Sequence, residues 1–396
     1  MDFAQMDFQN ITPPYAPSAW LDLDALDANI QRVNAMTQAV NLRIATKSIR
    51  SLEVLQYIQA QTPNFIGLMS FSASESVYLL EQGFDNILCA YPSFDRDAIA
   101  KTIPFSQNGA TMVWMVDSLE HWQVLEDIGR AHDTKLSLCL DINMSMPLPK
   151  LYFGTKRSAL FKVSDVKKLL KQTKKFTHVK VTAMMGYEAQ IAGLPETLPD
   201  KSLLAPAIRT LKLLSKKQVS TRRPKVANWL KKQGYDLSII NGGGSGSMAF
   251  TCAQPEVTEI TVGSAYYYPA LFSHMDSMKD FSPTAGFVLP VTRQPEPNVI
   301  TCHGGGFIAS GSLGADKMPQ VIYPDNLTML KDEGFGEVQT PMQVTGKRAV
   351  AIGDYVWCRH AKAGELCEHF NELITYRDNK ACGTMLTYRG AGQCFH

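Results

Sequence analysis

The chain has 396 residues, 45% of them hydrophobic and 19% charged, with a formal net charge of +2. That length exceeds what one core usually organises, about 250–300 residues, so two domains are expected. The near-balanced charge offers no whole-protein attraction to nucleic acid or to a membrane surface, and no run of 18 apolar residues is present to span a bilayer. The first five residues, Met1-Asp2-Phe3-Ala4-Gln5, lack the basic and apolar regions of a signal peptide. Eight scattered cysteines form no CxxC pair, so reduced thiols in a cytoplasmic protein are the expectation.

Residues 1–18 are polar and proline-rich, and Ala19–Leu23 reads as a short extended piece. Asp24–Val40 has helical spacing, with Leu26, Ile30, Val33 and Met36 on one side. Strand-like runs follow at Leu42–Ala45, Phe65–Met69, Ile87–Ala90, Thr111–Val116, Leu136–Asp141, Val179–Met185, Leu237–Asn241 and Glu259–Gly263. Helical stretches such as Ser74–Gln82 and Ser118–His132 separate most of them. Eight strands alternating with helices predict an α/β fold, a closed (β/α)8 TIM-like barrel over residues 19–280. A doubly wound open sheet is the rival, but no GxGxxG follows the first strand. From 285 onward the runs Phe287–Val291, Asn298–Cys302, Ala349–Ile352 and Tyr355–Cys358 are short, alternate with a period of two, and are separated by Gly, Pro and Asp. They predict a mostly-β domain over 285–396, with residues 1–18 as candidates to join it. Lys156–Lys175 and Arg209–Lys232 are basic, with Leu and Val at helical spacing, and read as solvated outer helices. Binding of nucleic acid would call for more interleaved aromatics than Phe161, Phe176 and Trp229.

Barrels carry their active sites in the loops at the C-terminal ends of the strands. Lys47, in Arg43-Ile44-Ala45-Thr46-Lys47-Ser48, stands where the first strand ends, and Ser48 is expected to cap the helix that follows. Asn241-Gly242-Gly243-Gly244-Ser245-Gly246-Ser247 follows the seventh strand, and Gly263-Ser264 ends the eighth. Glycines let backbone amides turn toward an anion, serines add hydroxyl donors, and barrels bind phosphate after these two strands. A lysine on strand one with a phosphate cradle after strands seven and eight suggests pyridoxal 5'-phosphate, a phosphorylated aldehyde that a lysine holds as a Schiff base when burial depresses the amine's pKa.

Several stretches together identify a resemblance that runs from about Pro17 to the C-terminus. They are Trp20-Leu21-Asp22-Leu23-Asp24-Ala25-Leu26, Thr46-Lys47-Ser48, Gly186-Tyr187-Glu188-Ala189-Gln190, Gly242-Gly243-Gly244-Ser245-Gly246, Glu337-Val338-Gln339-Thr340-Pro341 and Arg359-His360-Ala361-Lys362-Ala363-Gly364-Glu365-Leu366-Cys367. The chain resembles the alanine racemase-like, fold-type III pyridoxal phosphate enzymes, within them the D-threonine aldolase and D-serine dehydratase branch. The resemblance implies an N-terminal barrel, a C-terminal β domain, Lys47 as the Schiff-base lysine, and cofactor contacts at Asn241, Gly243, Gly244, Ser245, Gly263 and Ser264. It also implies a homodimer in which one subunit's β domain closes the other's site.

Tyr187, just beyond strand six, could stack on the cofactor ring or orient the substrate, and the branch carries a Tyr in this stretch. Gln190 stands where relatives usually have a histidine. Arg157 resembles the family's arginine near the cofactor's phenolic oxygen, with a solvent arginine in a basic loop as the competing reading. The branch usually carries a His-x-Cys or His-x-Asp pair for a divalent ion that grips the substrate's β-hydroxyl. That position holds Glu365 and Cys367 here, with His360 and His303 as alternative ligands and zinc or manganese as the ion, Cys favouring zinc.

The expectation is a pyridoxal phosphate-dependent lyase acting on a D-amino acid with a β-hydroxyl, an aldolase or a dehydratase, with Lys47 and Tyr187 catalytic. An amino-acid racemase is the alternative, with Tyr323 and Tyr355 as candidates for the second base. A non-catalytic cofactor-binding protein is the further alternative, and small carriers of that kind generally lack a C-terminal β domain.

Overall fold

The computed structural model describes residues 6–197, 203–312 and 314–395; the N-terminal pentapeptide read for a targeting signal lies outside them. Eight parallel strands close a barrel in chain order: Asn41–Ala45, Phe65–Ser70, Asn86–Cys89, Thr111–Val116, Leu136–Asp141, Val179–Gly186, Ile239–Gly242 and Glu259–Val262. They correspond one to one with the eight runs read from the sequence. Closure comes from pairing of the eighth strand with the first, Glu259 opposite Asn41 and Val262 opposite Ile44.

Side-chain alternation explains why these runs build a barrel. Leu42 and Ile44 face outward into the core shared with the surrounding helices, while Arg43 points in. Part of the interior is apolar, built from Leu88, Val113, Met115, Cys139, Ala183, Met185 and Ile239. Another part is charged. Arg43 Nε donates to Glu259 Oε1 at 2.8 Å and Nη2 to Oε2 at 2.9 Å, while Nη1 reaches Leu68 O at 3.0 Å and Nη2 reaches Asn86 Oδ1 at 3.0 Å. A Cβ on Gly67 would fall 2.9 Å from Arg43 Nη1 and 2.2 Å from Asn86 O, so only glycine leaves room for this fork.

The outer helices start where side-chain oxygens satisfy free amides. Asp22 accepts from Ala25 N at 3.0 Å and opens Leu23–Thr37, which begins one residue before and ends three residues before the expected Asp24–Val40. Ser51, not Ser48, caps Leu52–Ala60 by accepting from Val54 N at 3.3 Å. The intervening Thr46–Ser48 is a separate single helical turn, which frees Ser48 for another role. The basic stretch Lys156–Lys175 forms the helix Val163–Gln172 only in its middle, its start being a loop that carries Arg157 to the cavity, whereas Arg209–Lys232 lies within the 28-residue helix Ala205–Lys232.

The second sheet has nine strands and includes Ala285–Glu296, Val299–His303, Gln339–Val344, Tyr355–Arg359, Glu372–Arg377 and Lys380–Leu386. The extended piece near residue 20 belongs to it. Ser18–Asp22 lies between Ala285–Glu296, antiparallel, and Glu372–Arg377, parallel. The run Ala349–Ile352, expected as a strand, is irregular and leads into a turn closed by Asp354 N donating to Ala351 O at 3.1 Å. Gly353 takes φ +97°, and Ala351 N donates to Asp354 Oδ2 at 2.8 Å. Tyr323 and Tyr355 pack against a cluster that contains Trp20, Val288 and Trp357. Among the described residues no helix is long and apolar enough to cross a membrane. The eight cysteines are unpaired.

The Arg43–Glu259 pair generates a stability prediction. Removing one partner leaves the other charge buried without compensation, so Arg43→Ala should cost about 3–5 kcal/mol. Urea unfolding followed by circular dichroism measures it, and a loss below about 1 kcal/mol would contradict the interior placement.

Candidate active site

One cavity opens at the C-terminal ends of the barrel strands. Lys47, Arg157, Tyr187, Asn241, Gly243, Gly244, Ser245, Gly263 and Ser264, which the sequence singled out separately, all line it. Tyr91, Met69, Thr261 and Phe272 complete much of the wall.

Lys47 reaches the cavity because the first strand runs straight into the turn Thr46–Ser48. Its Nζ donates to the Tyr91 hydroxyl at 3.3 Å. The turn is fixed largely by the C-terminal part of the chain. Arg50, in the left-handed region at φ +51°, donates from Nε to Lys47 O at 3.0 Å and pairs through Nη1 with Glu368 at 2.7 Å. Cys367 Sγ donates to Ile49 O at 3.2 Å, Tyr388 N donates to Arg50 O at 2.8 Å, and Ser51 Oγ donates to Leu386 O at 2.7 Å. Gly364, at φ +81°, packs so closely that a Cβ would fall 2.0 Å from Lys47 O. Lys47 itself is exposed in the single chain.

The glycine loop is shaped for close approach. Gly243 takes φ +82°, and a Cβ there would meet Ile260 Cγ1 at 2.6 Å. A Cβ on Gly244 would stand 3.0 Å from Ala192 Cβ and 3.2 Å from the Tyr187 ring. The loops after strands seven and eight are tied together, since Ser245 Oγ accepts from Ala265 N at 2.9 Å. Ser264 Oγ lies 3.2 Å from Ser48 Oγ, which links the eighth-strand loop to the Lys47 turn. Beneath the glycines, buried Glu188 accepts from Ser247 Oγ at 2.8 Å, from Gly243 N at 3.2 Å and from Thr251 Oγ1, and it pairs with buried Arg223. Arg223 comes from the long basic helix and lies against Gly186 and Gly242, where a Cβ on either would approach it to 3.0 Å. Asn241 Nδ2 donates to Glu259 Oε1 and Thr261 Oγ1, both at 2.8 Å, and its Oδ1 is buried without a partner. Gln190 turns away into structure, donating to Met144 O at 2.7 Å and Ser215 Oγ at 2.6 Å.

Arg157 supplies positive charge over two phenols, with its guanidinium carbon 5.9 Å from the Tyr91 ring centre and 6.0 Å from that of Tyr187. Burial pushes Tyr187 up to about 12 despite Arg157, so its phenol stays neutral near neutral pH. Burial also opposes ionisation of Tyr91, but Lys47 and Arg157 together outweigh it and hold that phenol below its ordinary value. Asp141, the last residue of the fifth strand, is pushed up to about 7 by burial and by Asp117, against the pull of Arg157. Tyr91, Asp141, Glu188 and Arg223 were not singled out from the sequence. The rule that barrel chemistry sits at C-terminal strand ends would have reached Tyr91 and Asp141.

The expected metal ligands lie outside this cavity and do not fit a divalent ion. Glu365 accepts from Ser310 N at 2.9 Å, from Ser310 Oγ, and from Lys362 Nζ at 3.1 Å. The Cys367 thiol is buried and donates to Ile49 O at 3.2 Å. His360 has Nδ1 3.0 Å from Ala285 O, burial holds its ring down to about 4, and its Nε2 has no partner. His303 is exposed at a strand end. Among the described residues no three His, Cys, Asp or Glu side chains stand together where they could hold a metal.

The family model for the alanine racemase N-terminal domain matches residues 21–270. No curated protein matches the sequence. Among solved structures, D-threonine aldolase from Filomicrobium marinum is 15% identical over 96% of this chain and 95% of its own, with a TM-score of 0.79. D-threo-3-hydroxyaspartate dehydratase from Delftia sp. HT23 is 15% identical over 94% and 97%, with a TM-score of 0.71. Alanine racemase from Clostridium difficile 630, in complex with cycloserine, is 13% identical over 94% and 99%, with a TM-score of 0.64. At these identities the likeness establishes the fold, a barrel followed by a C-terminal sheet.

Two outcomes follow from this geometry. Gly364→Ala adds a methyl against Lys47 O at a positive φ and should destabilise the protein by more than about 1 kcal/mol, read as a lowered melting temperature. An unchanged melting temperature would show that the segment is not tightly applied to the Lys47 turn. Asp141 binds its proton more tightly when folded, so ionising it costs folded-state stability as pH rises from the ordinary carboxylate range through about 7. Denaturant unfolding across that range should show a decline in the wild type that Asp141→Asn flattens, and parallel curves would contradict the placement.

Proposed function

The chain belongs to the alanine racemase N-terminal domain family, and from that membership we propose that it is a pyridoxal 5'-phosphate-dependent lyase acting on a D-amino acid that carries a β-hydroxyl. The observation that carries this reading is the convergence of Lys47 with the loops Gly243–Ser245 and Gly263–Ser264 on one cavity. The residues present fit the cofactor. Glycines stand where any Cβ would collide, two serine hydroxyls and the first amides of two short helical turns lie at the loops, and a primary amine lies across the cavity. When bound, the cofactor supplies an electron sink for charge that develops at the substrate's α-carbon.

The chain's own residues divide the remaining work. Lys47 is the amine that would tether the cofactor and, when free, would serve as a base for the α-proton. Gly243, Gly244, Ser245, Gly263 and Ser264 bind the phosphate, with Glu188 and Arg223 fixing the first of the two loops from below. Arg157 presents its guanidinium between Tyr91 and Tyr187, where it can neutralise an oxyanion. Tyr187, kept neutral, offers a ring face and a hydroxyl donor rather than a base. In a dehydratase, Lys47 removes the α-proton and the β-hydroxyl departs. In an aldolase, a base takes the hydroxyl proton and the Cα–Cβ bond breaks. No step is assigned to a metal ion, because Glu365 and Cys367 are committed elsewhere.

The names of two structural neighbours, D-threonine aldolase and D-threo-3-hydroxyaspartate dehydratase, support a D-configured, β-hydroxylated substrate. The exposure of Lys47 supports a homodimer in which the C-terminal sheet of a second copy covers the cavity. The unpaired cysteines suit a reducing compartment such as the cytoplasm.

Purified protein should bind pyridoxal phosphate with a visible absorbance that borohydride bleaches, and Lys47→Ala should show neither. With cofactor bound, pyruvate and ammonia from D-serine would mark a dehydratase, and glycine with acetaldehyde from D-threonine an aldolase, each falling to background in Lys47→Ala. Interconversion of D- and L-alanine without either product set would replace the lyase with a racemase. Binding without turnover of any amino acid would overturn both.

A further inference from the structure

The reading of Lys47 as the reactive amine leaves one question open, namely how its nitrogen loses a proton. A lysine amine attacks an aldehyde only when neutral, and enzymes favour that form by burial or by an adjacent base or cation. In the single chain the Lys47 side chain is exposed. The group in contact with its Nζ is the Tyr91 hydroxyl at 3.3 Å.

Tyr91 is held firmly in place. It lies two residues beyond the third barrel strand, Asn86–Cys89, where Ala90 N donates to Ser70 O at 2.9 Å and the Cys89 thiol donates to Tyr91 O at 3.5 Å. Its ring centre lies 6.0 Å from Lys47 Nζ and 5.9 Å from the Arg157 guanidinium carbon. The charged and titratable groups that face it are these two cations, the carboxyl of Asp141 and the phenol of Tyr187. Lys47 and Arg157 favour the phenolate, while Asp141 and burial oppose it, with the cations dominant. Tyr187, more deeply buried and near Glu188, also faces Arg157, and its phenol moves the other way.

We propose that Tyr91 is a catalytic residue that exchanges one proton with Lys47, its phenolate taking the proton from the ammonium and its phenol returning it. In the forward direction an N–H bond breaks, the nitrogen keeps the electron pair, and an O–H bond forms on Tyr91. The ammonium–phenolate pair becomes a neutral amine and a neutral phenol, and no further reactant is needed. This inference rests on Lys47 being the cofactor-binding amine.

The full-length chain tests it by two readouts, neither of which is turnover. The first is an ultraviolet difference titration of phenolate absorbance. In the wild type one of the 14 tyrosines should ionise ahead of the others. That early step should be absent in Tyr91→Phe and displaced upward in Lys47→Ala, which removes the neighbouring charge. The second is the rate of borohydride-trappable pyridoxal phosphate capture against pH. Near neutral pH, Tyr91→Phe should capture on the order of 10²-fold more slowly, with its profile moved to higher pH, as expected for loss of a positioned proton acceptor. An early-titrating tyrosine that persists in Tyr91→Phe, or capture profiles that superimpose while the wild type is trapped normally, would overturn the role of Tyr91 alone. Failure of wild type and variant alike to capture cofactor would overturn the reading of Lys47 and this role with it.

Discussion

The closing contact between the last barrel strand and the first determines what the rest of the molecule can do. Glu259–Val262 pairs in parallel with Asn41–Ile44, and inside that seam Arg43 and Glu259 meet in two hydrogen bonds of 2.8 and 2.9 Å across 216 positions of sequence. Burying such a pair carries a large desolvation cost, which is offset only when the geometry is good and the remaining donors are used. Leu68 O and Asn86 Oδ1 use them. A slip of one residue would turn Arg43 out into the apolar layer beneath the helices, so the pair also selects the register. With that register set, Ser48 meets Ser264 at 3.2 Å, and the lysine at the end of strand one faces the anion-ready loops beyond strands seven and eight.

A second constraint comes from the C-terminal part of the chain. The backbone just after Lys47 is bonded by side chains and backbone from residues 367–388, and Gly364 permits the approach by having no Cβ. The Lys47 end of the first strand is thus held on two sides, by the barrel through Ser264 and by the C-terminal part of the chain through Arg50, Ile49 and Ser51. This explains why the family's barrel is continued here by a sheet that begins with Ser18–Asp22, before the barrel is entered, and ends near the C-terminus.

Much of this was legible in the sequence because it depends on local pattern. The eight strands announce themselves as short apolar runs between turn residues, and Lys47, Gly243–Ser245 and Gly263–Ser264 lie at positions that a barrel makes functional. Other features depend on partners far away. Ser48 and Ser51 both precede a helix, and only the structure assigns the cap to Ser51 and the link across the barrel to Ser48. Ser18–Asp22 carries no mark of the sheet it joins. Glu365 and Cys367 have the spacing of a ligand pair, yet their partners are Ser310 and Ile49, distant residues that satisfy them without an ion. Tyr91 belongs to no motif, and its place beside Lys47 emerges only when strands one and three are brought into one barrel.

The most direct test of the central claim is to reduce the complex of the full-length protein and pyridoxal phosphate with borohydride, digest it, and map the modified peptide by mass spectrometry. A single phosphopyridoxyl label on Lys47 is the predicted result. Label spread over surface lysines, or confined to a different one, would contradict the assignment of this cavity as the cofactor site.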